Sequence, residues 1–389
     1  MLESMASQTL NLESSQIVTD PSVIDLGIGQ PELDILPKEV LWQASTQLFA
    51  DSSMKPLNYG HPKGDGEFRL FLSRYLAPHY HHVPHPESFM TTSGASQGLY
   101  FLASELGKPG DTILVEEPTY FLALEIFKSC GLKVQGVPTT ANGVDLEALE
   151  SAVKKYKPRF FYTIPTHHNP SGLITSEETR EAVIRLAQDN NFTIIADEVY
   201  QLLTYRENPP APYAFYVDKG VVVSVGSFSK ILAPGLRLGW LQSSPDILEK
   251  LLGSGLLRSG GGLNHFTCCL VREGLKLGLC DRYLQNLRKI FSHRVDVMDR
   301  RLQQELGNIV TYEKPRGGYF FWLQLPEELD IERLEKEAAD HKTGFRAGPR
   351  FSTQGNFQNC IRLSFAHYNE NAIDVGIDRL SKAIKKTLA

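Results

Sequence analysis

In the stretch SVGSFSKILAPGLRLGW, residues 224–240, an apolar run ends in Ser227, Ser229 and Lys230, and Arg237 follows seven positions after the lysine. A lysine directly after such a run stands at the carboxyl edge of a sheet, where α/β proteins bind their ligands. Its amine is a nucleophile toward carbonyl groups when it carries no proton. Two hydroxyls and an arginine beside it suit a phosphate. Together these residue types fit a phosphorylated carbonyl cofactor held covalently. Pyridoxal phosphate demands this set, with an acid facing its pyridine nitrogen.

Other candidates are weaker. Gly94-Ala95-Ser96-Gln97-Gly98 matches GxSxG, the nucleophile elbow of serine hydrolases. A small-residue turn entering a helix also binds phosphate through its free N–H groups, and that use weighs more here. His79, His81, His82 and His85 alternate with proline and tyrosine and form no HExxH, so a solvated loop is the better reading and no metal site is expected. Gly260-Gly261-Gly262 lacks the Lys-Ser/Thr ending of a P-loop and reads as a hinge or a place of close approach. Asp197, closing the run IIAD, reads by itself as a helix cap, and Tyr120 by itself as core.

The elements that must position these residues follow from periodicity. Short, nearly all-apolar runs at 89–92, 112–117, 133–138, 160–165, 192–198, 221–227 and 238–243 read as strands buried on both faces. Helical spacing separates them, most clearly after Thr175, whose distance to Glu178 is that of a capping box, with a stop at Asn190–Asn191. Such alternation predicts an α/β fold with a mostly parallel, seven-stranded sheet flanked by helices. Earlier in the chain, helices are expected from Lys38 and over 67–80. After residue 280 long charged helices and two short strands near 318–325 and 360–365 predict a smaller α+β domain. The expected division is an N-terminal segment 1–50 joining the small domain, a large domain 51–280 and a small domain 281–389. Residues 1–20 are polar and aperiodic and read as a flexible lead-in.

Composition narrows the class. The chain has 389 residues, 40 Lys+Arg against 45 Asp+Glu, and 42% hydrophobic residues. A net charge of −5 argues against binding nucleic acid through phosphate neutralisation. No run approaches the ~20 apolar residues of a membrane span. Five cysteines without CxxC spacing are the usage of a reduced compartment. The first 20 residues contain no Lys or Arg, so neither secretory nor mitochondrial targeting is indicated and the cytoplasm is expected.

From about Leu26 to its end the sequence resembles the fold-type I, class I/II aminotransferases, and looks closest to the branch with 2-aminoadipate and kynurenine aminotransferases. The resemblance implies a pyridoxal-phosphate enzyme moving an amino group between an α-amino acid and a 2-oxo acid. It implies that Lys230 holds the cofactor and later shuttles the α-proton, and that Asp197 in IIADEVY pairs with the pyridine nitrogen. Ser227, Ser229, Arg237, Gly94, Ala95 and Ser96 match the phosphate ligands, which accounts for GxSxG without a nucleophile. Asn169 in PTHHNPSG and Tyr200 match residues that hydrogen-bond the phenolate oxygen of the cofactor, and Tyr120 in EEPTYF the aromatic stacked on its ring. Arg362 in NCIRLSF matches the arginine that clamps the substrate α-carboxylate, with Gly29 in LGIGQPE and Asn169 near it. Tyr59 in LNYGHPKG matches a tyrosine that reaches the phosphate of a neighbouring subunit, which implies a homodimer with composite sites. KPRGGYFFWLQLP, residues 314–326, matches a small-domain strand.

The chain also departs from the family pattern. It has Ala347-Gly348-Pro349-Arg350 where much of the branch has Pro-Gly, and LLRSGGGLNHF at 256–266 lacks polar residues of the aminoadipate type. Both lie where such enzymes shape the side-chain pocket and dimer contact, which leaves the substrate open. A carbon–sulfur lyase eliminating a β-substituent on the same fold is the runner-up, since both reactions begin with loss of the α-proton. A serine hydrolase at Ser96 is a distant third. A cofactor-binding transcription factor is not expected, because too little chain precedes residue 25 for a DNA-binding domain.

Overall fold

Seven of the apolar runs become strands of one sheet, and their order explains why six of them are buried almost throughout while the run at 133–138, next to the sheet's edge, is largely not. The computed structural model describes residues 20–206 and 208–389. In chain order the strands are β1 (Ile24–Asp25), β2 (Phe89–Thr92), β3 (Thr112–Glu117), β4 (Lys133–Thr140), β5 (Gly143–Val144), β6 (Phe160–Thr163), β7 (Thr193–Asp197), β8 (Val222–Ser227), β9 (Gly239–Ser243), β10 (Phe320–Gln324), β11 (Thr343–Gly344), β12 (Arg346–Ala347) and β13 (Cys360–Ser364). The large sheet runs β2-β9-β8-β7-β6-β3-β4-β5. Its body from β8 to β4 is parallel, and β9 lies antiparallel between β2 and β8. Helices cover both faces, so β2, β6, β7, β8 and β9 are buried along their whole length.

The sheet has eight strands, not the expected seven. The addition is β5, two residues long, formed where the chain turns at 141–142 and pairs Val144 with Thr139. Two residues carry no periodicity, so nothing in the sequence marks them. The helix expected from Thr175 covers Glu177–Asn190, one step later: Ser176 is the cap, its Oγ accepting from the Thr179 N–H at 3.2 Å. Thr175 is already committed, buried with its N–H bonded to the Pro165 carbonyl. Asn191, in the left-handed conformation at φ 57°, ends that helix as expected.

The helices expected early in the chain cover Lys38–Ala50 and Gly66–Tyr80. The later region holds a second, antiparallel sheet β10-β13-β12 and the helices Leu279–Leu306 and Glu370–Leu388, which pack together. The segment before the first long helix reaches this region through β1, which pairs with β11. The lead-in 1–19 lies outside the described residues. Among the described residues no helix is long and apolar enough to cross a membrane.

Candidate active site

Strands β2, β3, β6, β7 and β8 all end on one side of the large sheet, and the residues that follow those ends meet in a cavity of about 570 Å³. Lys230, Asp197, Asn169, Tyr120, Tyr200 and Arg362 line it. Ser96, Ala95, Ser227, Ser229 and Arg237 line one part, and Gly29 closes another. Gly94 stands directly behind Arg237. Tyr59 is the one candidate that does not join them. Its side chain is 82% exposed and away from this cavity.

Lys230 is fixed from two directions. Its Nζ donates to the Gly29 carbonyl at 2.8 Å and stands 5.2 Å from the centre of the Tyr319 ring, while the Tyr319 hydroxyl donates to the Lys230 carbonyl at 2.9 Å. Burial brings its pKa down to about 8, with Arg362 and Arg237 pushing the same way and Asp197 opposing. A neutral, nucleophilic amine is therefore far more accessible than on a solvated lysine.

Asp197 ends β7 inside the protein. Burial lifts its pKa to about 6 despite a bond from the Tyr162 hydroxyl to Oδ2 at 2.8 Å, a backbone N–H from Val199 and the charge of Lys230. Its Oδ1 is buried and has no hydrogen-bond partner among the described residues. A carboxylate in that position calls for a cationic donor.

The anion cup is preassembled. Gly94 has φ +90°, and a Cβ there would come within 2.8 Å of the Arg237 guanidinium, so only glycine lets the arginine close over the start of the helix Ala95–Leu106. Arg237 donates to Ser229 Oγ at 3.5 Å and to the Ser93 carbonyl at 3.3 Å, and the Ser229 N–H bonds Ser227 Oγ at 3.1 Å. Asn264 holds the backbone of Leu236 and Arg237 from behind.

Arg362 comes from β13 of the other sheet. It donates through Nη1 to Asn169 Oδ1 at 2.9 Å and through Nη2 to the Gly27 carbonyl at 2.8 Å, with the Phe320 ring 4.0 Å from its guanidinium carbon. Its Nε is buried and without a hydrogen-bond partner among the described residues. Burial lowers its pKa to about 10, which leaves it charged at neutral pH. Tyr120 and Tyr200 border the cavity with phenols pushed up, Tyr120 to about 12, chiefly by burial.

These residues fit pyridoxal phosphate. A lone buried carboxylate oxygen suits a pyridinium, a lysine of lowered pKa suits an aldehyde, and a bare helix start with two serines and an arginine suits a phosphate. Some contributors were missed in the sequence. Gln30, Leu122 and Phe320 line the cavity, Tyr162 bonds Asp197, and Tyr319 supports Lys230. The glycine triplet makes a close approach within the chain: Gly261 and Gly262 lie against the carbonyls of Gly60 and His61. In the histidine cluster His79 closes the helix ending at Tyr80, His81 takes the left-handed position after it, and His85 Nδ1 accepts from the Glu87 N–H.

An α/β fold with a buried lysine, a buried aspartate and a helix start flanked by serines and an arginine at the carboxyl edge of its sheet has the parts that a pyridoxal-phosphate enzyme requires. Residues 21–380 match the family model for aminotransferase class I and II, and the chain belongs to that family. It is 30% identical over 383 residues to an aromatic-amino-acid aminotransferase of Thermococcus litoralis, covering 97% of this chain and 91% of that one. It is 29% identical over 382 residues to a 2-aminoadipate transaminase of Thermus thermophilus, covering 97% and 94%. A solved structure of kynurenine aminotransferase from Pyrococcus horikoshii, in complex with PMP, is similar with a TM-score of 0.88 at 28% identity, covering 99% of this chain and 100% of that one. The protein is thus a transaminase and its cofactor is pyridoxal phosphate, which leaves Ser96 no role as a hydrolytic nucleophile.

Proposed function

We propose that this transaminase takes an α-amino acid with an apolar, preferentially aromatic, side chain as amino donor, and that Lys230, Asp197 and Arg362 carry the chemistry. The observation that carries the substrate reading is the cavity wall. The cations lining it are Lys230, Arg237 and Arg362, one each for the cofactor aldehyde, its phosphate and the substrate α-carboxylate, while Phe121, Leu122, Pro234 and Phe320 supply apolar surface. A side-chain carboxylate placed against that surface would lose its hydration without a partner.

When bound, the cofactor supplies an electron sink for the pair left on the α-carbon as its proton departs. Arg362 binds the α-carboxylate and fixes the substrate's rotation, with the Nε and Nη edge of its guanidinium available for a bidentate contact. Asn169 and Phe320 hold that guanidinium in place. Lys230, whose amine would hold the cofactor aldehyde, is placed to take the α-proton of the amino acid on its Nζ and to give it back. Asp197 would hold the pyridine nitrogen in its protonated form. Tyr120 would stack on the ring, and Asn169 and Tyr200 would hydrogen-bond its phenolate oxygen.

The test is a panel of amino acids followed by product analysis. Phenylalanine or tyrosine should give kcat/KM about 100-fold above aspartate, the cost of an unpartnered carboxylate. A preference for aspartate would overturn the substrate assignment. Pyruvate and ammonia from S-substituted cysteines, with no amino group passed to a 2-oxo acid, would make the protein a lyase.

The active unit in this reading is a homodimer. Trp42, Phe49, Met54, Leu57, Leu256 and Phe266 are exposed, and the Phe49 and Phe266 rings are 6.3 Å apart, so the two stretches share one apolar surface with Tyr59 beside it. A surface of this kind calls for a partner, and a second copy would carry Tyr59 to the neighbouring phosphate cup. Tyr59→Phe, if inactive alone, should regain activity when mixed with inactive Lys230→Ala, because a mixed dimer then has one site with both residues intact. Absence of recovery after demonstrated subunit exchange would refute the composite site.

A further inference from the structure

Tyr162 is a fully buried tyrosine in the middle of the sheet, on β6, the neighbour of β7. Its ring is held edge-on by Phe127, with centroids 5.2 Å apart and an interplanar angle of 69°. Its hydroxyl donates to Asp197 Oδ2 at 2.8 Å. The carboxylate is thereby divided: Oδ2 is occupied from inside the sheet, and Oδ1 is left buried and, among the described residues, without a hydrogen-bond partner. Burial pushes the ionisation of this phenol far up, so it keeps its O–H and donates it to the carboxylate.

We propose that Tyr162 is a positioning residue for the cofactor ring: by occupying Oδ2 it presents Oδ1 alone to the pyridine nitrogen and keeps the shared proton on that nitrogen. This rests on the reading of Asp197 as the partner of the ring nitrogen. The physical case is a competition for one proton between a nitrogen and a carboxylate oxygen. Burial by itself favours the neutral carboxylic acid, which would take the proton and leave a neutral pyridine. Donors to the carboxylate oppose this. Lys230, from the loop after β8, and His168, from the loop after β6, favour the ionised carboxylate by charge. The Val199 N–H and Tyr162 do so by direct hydrogen bonds. Tyr120 and Tyr200 stand nearby as neutral phenols, and Glu116 faces Tyr162 from β3. Of the side chains around Asp197, Tyr162 makes the direct hydrogen bond to the carboxylate and belongs to the rigid centre of the sheet, so it sets both the rotation and the proton affinity of the acid. A tyrosine inside a strand of apolar residues thus tunes electron withdrawal at a ring it does not touch.

The experiment uses the holoenzyme reconstituted with pyridoxal phosphate carrying 15N in the ring, read by NMR beside kcat and KM. The wild type should show a pyridinium resonance. Tyr162→Phe keeps the ring and its contact with Phe127 but removes the donor. Its resonance should move toward that of neutral pyridine, and kcat should fall about tenfold or more while KM for the amino acid stays within about twofold. Replacing Tyr162 by a ring-fluorinated tyrosine, a stronger donor of almost the same volume, should hold the pyridinium form to higher pH, and it tests the same point if the phenylalanine variant folds poorly. Asp197→Ala should give the neutral pyridine outright. If Asp197→Ala shifts the resonance and neither Tyr162 variant does, the role of Tyr162 is refuted and that of Asp197 stands. If Asp197→Ala leaves the nitrogen protonated, the reading of Asp197 fails, and the inference fails with it.

Discussion

Lys230→Ala is expected to reduce turnover by about 10⁴-fold and to abolish covalent attachment of the cofactor. In the proposed reading two roles are lost at once: the amine that bonds the aldehyde and the base that moves the α-proton. Among the residues lining the cavity, Lys230 is the only lysine. The other cations there, Arg237 and Arg362, carry guanidinium groups, which do not substitute as bases or nucleophiles. The proposed phosphate cup of Arg237, Ser229 and the helix start does not include Lys230, so the variant should still bind the cofactor non-covalently. Borohydride reduction of the wild-type holoenzyme followed by peptide mapping should place the label on Lys230. A label on another lysine would overturn the assignment.

The pH dependence of loading gives a second check on the same residue. Only the neutral amine attacks the aldehyde, and burial lowers the pKa of this one to about 8. The rate of covalent capture should therefore rise with pH up to about 8 and level off above it. An ordinary lysine would keep gaining through ~10.4. A rate still climbing well above pH 9 would mean that the amine is not held as described.

The parts of this enzyme differ in how plainly the sequence displays them. Strands β6, β7 and β8 are legible because burial on both faces leaves their residues mostly apolar. Lys230 and its serines are legible because polar residues at the end of such a run must be doing something. β5 was not legible, since two residues have no period, and Ser176 displaced Thr175 as a cap through a tertiary bond to Pro165 that local pattern cannot express. Arg362 illustrates a different limit. It lies 132 positions beyond Lys230 on another sheet, and no local pattern in NCIRLSF ties it to the lysine, so only resemblance to a family drew attention to it. Tyr162 had no signal at all. A tyrosine in FFYTIP reads as one more aromatic of the core, and its hydroxyl acquires meaning only when β6 and β7 are laid side by side. Chemistry carried by a residue's position in its own element was readable. Chemistry arising from register between elements was not.

Asp197→Ala should lower kcat by about 10²–10³-fold, the loss associated with removing one preorganised electrostatic partner at a reacting centre, or about 2.7–4 kcal/mol of barrier. The cofactor should bind much as before, because the cup at Arg237, Ser227 and Ser229 and the lysine are untouched. What changes is the ring. With no anion at the end of β7 the pyridine nitrogen has no reason to keep its proton in so buried a place, and a neutral pyridine withdraws electrons from the α-carbon far less well. Asp197→Asn is the companion variant: similar in size, able to accept a bond from Tyr162, but uncharged. If geometry alone mattered, the asparagine would retain most of the activity. If charge is what holds the proton on the nitrogen, asparagine should fall nearly as far as alanine. Comparison of kcat for the two, with cofactor affinity measured by equilibrium dialysis, separates the cases. Turnover within a few-fold of wild type in both variants would show that the carboxylate has no part in the chemistry and that its burial beside Tyr162 is structural.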